Sequence, residues 1–227
     1  MHCMKHMNGR LLAFFMIVLI GFVQAQPTVS FTFDDGITTD MPGYPFHTWN
    51  KMILNHLERA ELKAIFFVAG KNKSDDEGKF LLKTWADNGH RLANHTYSHQ
   101  NYHDPNITCE AFQNDFLRCD SIIKRYDTYI RLFRFPYLKE GDTGDKIHCF
   151  RNFLAQQNYS DGYVTIDASD WYVDRRLRNQ LTGNGDADID GFRRYYLRHL
   201  YERALYYEEL AYQLTGRHIN HILPAAS

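Results

Sequence analysis

The sequence predicts an α/β fold, a mostly parallel sheet of about seven strands curled into a closed or partly closed barrel. Two observations carry this. Short β-rich runs alternate with stretches whose apolar residues recur at helical spacing. One run, residues 64–68 (AIFFV), is apolar throughout, as a strand covered on both faces requires. Composition agrees: 44% of the 227 residues are hydrophobic and 23% charged, with only 14 Gly and 6 Pro. That excludes a disordered tail, a collagen-like fibre and a polytopic membrane protein.

Residues 28–33 (TVSFTF) read as the first strand. Residues 47–60 place Trp49, Ile53 and Leu57 at helical spacing. After the 64–68 strand comes a short helix over 80–88, ended by Gly89. Residues 91–94 form a short strand, and 110–126 a helix that carries Phe112, Phe116 and Ile123. Strand 131–135, helix 146–157 and strand 163–166 continue the alternation. The polar loop 183–190 (GNGDADID) has alternating acids but lacks the full calcium-ligand pattern. A long helix over 191–214, rich in Tyr, Leu and Arg, leads to a final strand that opens at 218–223.

Residues 1–25 have the three parts of a secretory signal peptide. Lys5 and Arg10 supply positive charge, 11–23 is an apolar run, and Val23-Gln24-Ala25 ends it with a cleavage signal. Thirteen apolar residues span about 20 Å as helix, short of the ~30 Å hydrocarbon core, so a membrane anchor is disfavoured. The expectation is a secreted or periplasmic domain over 26–227, without a stable membrane anchor. A formal charge of −1 gives no electrostatic argument for nucleic acid. The sixteen Phe and fifteen Tyr suit either sugar stacking or a thick core. Export permits disulfides. Cys109 and Cys119 fall on one expected helix, about 15 Å apart along its axis, and cannot pair while it is intact. Cys149 can bridge to either, or all three can stay reduced; the spacing leaves both open.

Four motifs carry chemistry, and they lie at or just after the C-terminal ends of expected strands, where barrel enzymes build their sites. Thr32-Phe33-Asp34-Asp35-Gly36 puts two carboxylates at a strand end. Neighbours on an extended chain point opposite ways, so one acid can hold a metal while the other faces substrate. His95-Thr96-Tyr97-Ser98-His99 spaces two imidazoles four apart, on one face if the segment is helical. The metalloprotease motif needs Glu after the first His, and Thr96 excludes it. Arg134-Phe135-Pro136-Tyr137 offers a guanidinium that can hold a carboxylate ionised, and a backbone N–H that Pro136 can aim into a site. Asp167-Ala168-Ser169-Asp170-Trp171 sets carboxylates beside an indole. Taken singly, each reads more readily as a turn, a packed histidine pair or a core tryptophan.

In this order, however, the four motifs resemble the polysaccharide deacetylase family, also called the NodB-homology or carbohydrate esterase 4 family, across residues 29–223. The resemblance implies an irregular (β/α) barrel. It implies that Asp35, His95 and His99 bind one divalent metal, most often zinc, with cobalt, nickel and manganese as alternatives. Asp34 is then the general base, held by Arg134. The Tyr137 N–H is the oxyanion donor, Trp171 lines the pocket, and Asp170 orients a catalytic acid. The implied reaction is removal of an N-acetyl group from a glycan such as peptidoglycan or chitin.

The fifth motif departs from the family, which ends on a strand of L-x-L-x-H type whose His protonates the leaving amine. This chain reads His218-Ile219-Asn220-His221-Ile222-Leu223-Pro224-Ala225-Ala226-Ser227. The strand is expected to begin and then stop, with no His near Ala226 and the domain incomplete there. His221 is about 16 Å too early along a strand. Loss of a general acid costs about 10²–10⁴-fold in rate. Three readings follow: a deacetylase (with an acetylxylan esterase as its O-acetyl variant), a metal- and carbohydrate-binding pseudoenzyme, or a structural protein whose histidines only pack.

Overall fold

The computed structural model describes residues 26–183 and 188–226; the expected leader, residues 1–25, lies outside them. Among the described residues no helix is long and apolar enough to cross a membrane. Strands β1 (Thr28–Asp35), β2 (Ile65–Val68), β3 (Arg91–Asn94), β4 (Tyr129–Phe133), β5 (Ser160–Asp161) and β6 (Asn220–Ala226) alternate with α1 (Phe46–Arg59), α2 (Asp76–Asp87), α3 (Cys109–Ile123), α4 (Gly144–Gln156) and the pair α5 (Asp170–Thr182) and α6 (Ile189–Thr215). The sheet order is β5-β4-β3-β2-β1-β6, and every pairing is parallel. Each crossover returns the chain to the same end of the sheet, so all strand C-termini open on one rim.

The sheet holds six strands, one fewer than expected. Residues 163–166 form no strand, because the short β5 takes the place beside β4. The chain then crosses to the far edge, where Thr165 and Ile166 N–H both donate to the Ile222 carbonyl. The curled sheet is thus bridged by a connector, not closed by a seventh strand. Nor does the last strand stop early: β6 pairs with β1 from Thr28↔Asn220 to Asp34↔Ala226. Helix α5 was not expected. Its sequence is strongly polar after Trp171 and Tyr172, and Val173 and Leu177 supply only a thin apolar stripe.

Helix starts follow side-chain capping. Asp75, Thr108, Thr143 and Asp188 each accept a backbone N–H from the first turn of α2, α3, α4 and α6. The core lies in two blocks. Phe66, Val68, Leu81, Trp85 and Leu92 pack beneath α1 and α2. Phe112, Phe116, Phe133, Phe135 and Phe150 fill the space between α3, α4 and β4. Most phenylalanines therefore serve packing. A Cys109–Cys149 disulfide ties α3 to α4, and Cys119 is buried and free.

Candidate active site and metal centre

β1 ends in a tight reversal. The Gly36 N–H donates to the Asp34 carbonyl at 2.9 Å, two residues back, and Asp35 between them has φ +69°. That is a γ-turn of the rare, strained kind. Gly36 itself has φ +76°, and a Cβ there would meet the Phe66 ring at 2.2 Å, so only glycine fits. The turn separates the two carboxylates. Asp34 faces Arg134, whose Nη1 lies 2.5 Å from its Oδ1. Asp35 Oδ1 faces His99 Nε2 at 3.0 Å and His95 Nε2 at 3.5 Å.

The two histidines do not share a helix face, as their spacing allowed. Residues 95–99 form a loop, with Thr96 at φ +64° and His99 at φ +54°. Side chains from elsewhere hold it. Asn94 Oδ1 accepts the Thr96 N–H, and Asp115 on α3 accepts the Tyr97 and Ser98 N–H groups and the Ser98 hydroxyl. His95 Nδ1 lies 2.7 Å from the Arg134 carbonyl, which can only accept. That nitrogen therefore carries the proton and leaves Nε2 with a lone pair directed at Asp35. Burial pushes the His95 imidazole below its usual value, which keeps the ring neutral.

Asp35 Oδ1 is buried and accepts no hydrogen bond, although two ring nitrogens stand within 3.5 Å. One donor atom from each of Asp35, His95 and His99 lies within 4.8 Å of the others. Burial raises the Asp35 carboxyl. The interaction with His99 and the charges of His95, His99 and Lys73 outweigh that effect, leaving it below the ordinary carboxylate value. A buried oxygen without a donor, ringed by imidazole nitrogens, is a cation-shaped arrangement.

Arg134 is almost fully buried. Its Nε donates to the Gly162 carbonyl, its Nη1 to Thr32 Oγ1 and Asp34, and its guanidinium lies over the Phe67 ring at 3.9 Å. Through Asp34 it braces a pocket of about 580 Å³ lined by Asp34, Asp35, His95, His99, Tyr137 and Trp171, together with Asp170. The eight residues singled out from the sequence thus converge on one site: seven line it and Arg134 supports it. Phe135, Leu138, Asp167 and Pro224 complete the lining. Only Asp167 and Phe135 lay within the recognised motifs; Leu138 and Pro224 carried no signal. Tyr137 has φ +57° and leans its ring on His99, with centroids 4.7 Å apart. Among the described residues nine non-glycines have positive φ, and Asp35, Thr96, His99, Tyr137 and Leu138 cluster here. Strain gathered at one rim makes this a candidate functional site.

The family model for polysaccharide deacetylases matches residues 23–148. The chain belongs to the polysaccharide deacetylase family. A peptidoglycan-N-acetylglucosamine deacetylase of Bacillus cereus is 30% identical over 146 residues, 63% of this chain and 46% of the relative. The chain therefore spans less than half the length of that curated relative. Two solved structures share the deacetylase fold. One is a carbohydrate esterase family 4 pseudoenzyme from Bacillus anthracis, with TM-score 0.57 and 16% identity over 88% of this chain and 55% of that one. The other is a polysaccharide deacetylase from Bacillus cereus, with TM-score 0.56 and 19% identity over 88% of this chain and 79% of that one.

Proposed function

We propose that this chain is a metal-dependent hydrolase that removes N-acetyl groups from a polysaccharide or oligosaccharide of the peptidoglycan or chitin type. The observation that carries this reading is the donorless Asp35 Oδ1 held between His95 and His99, beside an Asp34 already paired with Arg134. Asp35, His95 and His99 would hold one divalent cation, with zinc the best match to two imidazoles and a carboxylate. When bound, such an ion polarises the acetyl carbonyl and acidifies water.

The chain's own groups do the rest. Asp34, oriented by Arg134, accepts the proton of the attacking water. The Tyr137 N–H is assigned to the developing oxyanion, a role worth about 3 kcal/mol. Trp171, which is 55% exposed, walls the pocket and offers a flat face to the sugar. Asp170, which lines the same pocket, is assigned to orient an acid. The products are acetate and an amino sugar. The leader pattern and the Cys109–Cys149 bridge support action outside the cytoplasm.

One observation favours a second reading, a glycan-binding protein with impaired turnover. β6 carries Pro224 to the pocket and pairs Ala226 with Asp34, and among the described residues no imidazole other than His95 and His99 lines the pocket. The test is acetate release from an N-acetylglucosamine oligomer by the zinc-loaded protein. Release that is abolished in Asp34→Asn supports the hydrolase. Oligomer binding without release supports the second reading, and stoichiometric zinc binding is required by both.

A further inference from the structure

The α5–α6 pair leaves a second groove, of about 340 Å³, that shares Asp167 with the catalytic pocket and continues away from it between the two helices. Neither helix buries any residue fully. Trp171 and Tyr172 are successive residues at the start of α5, so their side chains leave the helix about 100° apart. Trp171 lines the catalytic pocket and Tyr172 lines the groove.

The opposite wall is built from α6. Tyr195 and His199 stack nearly parallel, 7° apart in plane, at one helical turn's spacing. His199 is held by the Ala168 carbonyl at 2.8 Å. Arg203 spreads over the Tyr207 ring, 4.9 Å from its centroid. Tyr172 and Tyr195 are 45% and 49% exposed. The groove therefore combines flat aromatic faces with charged hydrogen-bonding groups of both signs, Arg203 and Asp167. That chemistry matches a pyranose, whose apolar face stacks while its hydroxyls both donate and accept.

We propose that this groove is an accessory subsite for a neutral N-acetylhexosamine segment of the polysaccharide chain, outside the sugar whose acetyl group reacts. The proposal rests on the hydrolase reading, because a polymer threaded through the catalytic pocket must leave across some surface. This groove is one surface that adjoins that pocket, through Asp167, and it carries the exposed aromatic faces.

The experiment compares N-acetylglucosamine hexamer and dimer binding by calorimetry, using the whole zinc-loaded chain and its Tyr172→Ala, Tyr195→Ala and Arg203→Gln variants. Both tyrosines are half exposed, so the fold survives their truncation, and Tyr195→Phe retains the ring as a control. The expected result is a roughly tenfold loss of hexamer affinity in each alanine variant, equivalent to about 1.4 kcal/mol, with dimer affinity and zinc stoichiometry unchanged. Equal hexamer affinity in wild type and alanine variants overturns the subsite and leaves the hydrolase reading standing. A wild-type chain that binds neither glycan overturns both. A wild-type dimer in sedimentation that the alanine variants dissolve would instead make the groove a self-association surface, which also overturns the subsite.

Discussion

Asp34 and Ala226 are partners in the β1–β6 ladder, at the rim where the carboxylates emerge. The final strand therefore delivers position 226 to the catalytic end of the barrel. His221, by contrast, pairs with Val29 near the other end and is bound to Glu208 and Thr165.

The expectation that a deacetylase carries its acid on this strand makes position 226 the place to restore it. Ala226→His is predicted to raise acetate release by about 10²–10⁴-fold, the usual contribution of a general acid. Hexamer deacetylation rates for the two proteins check this, and equal rates would remove position 226 from the reaction.

Asp35 and Asp34 are predicted to separate cleanly in metal titrations. Asp35→Ala removes the central oxygen of the cluster and abolishes tight zinc binding. Asp34→Asn leaves the cluster untouched and retains zinc while losing turnover. Identical zinc affinities in the two variants would contradict these roles.

Removing the guanidinium breaks the Arg134–Asp34 ion pair inside the barrel. Arg134→Met is predicted to destabilise the fold by about 3–5 kcal/mol, because it removes one half of a largely buried ion pair. Urea denaturation midpoints measure it. A double variant with Asp34→Asn should recover part of the loss, since the uncompensated charge is then gone.

The Cys109–Cys149 bridge closes a 40-residue separation between α3 and α4. Cys149→Ser is predicted to cost about 2–4 kcal/mol, read as a lower melting temperature. Reductant should lower the wild type to the same value and leave the variant unchanged.

His90 is buried, and its Nδ1 accepts the Ala64 N–H at 3.2 Å. Burial and the charge of Lys63 pull its pKa from 6.5 to about 4. Between these values the unfolded chain binds more protons than the folded one, so stability rises with pH. The contribution is complete above pH 6.5 and is lost progressively toward pH 4, on the order of 3 kcal/mol in all. The difference between wild type and His90→Asn across pH 4–7 isolates it; a flat difference would refute it.

Much of the fold was legible because the signals are local. The apolar run at β2, the helical spacing in α1 and α3 and the strand-end carboxylates of β1 depend on backbone periodicity and nearest neighbours. Motif order singled out eight residues that the fold gathers at one pocket. Illegible features were those imposed from a distance. The His95–His99 loop is shaped by Asp115 on α3, not by its own spacing. Helix α5 has little apolar stripe of its own and is stabilised against α6. The count of strands turned on the connector that reaches Ile222 across 57 residues.

By itself, the sequence determined which side chains stand at each strand end and in what order, since a strand and its following loop are written in a few adjacent residues. Tertiary structure alone decided that Asp34 meets Arg134 across 100 residues, that His95 presents Nε2, and that Cys109 pairs with Cys149. Such outcomes depend on register and on contacts between distant segments, and no local pattern encodes the position of a partner that the chain has yet to bring near.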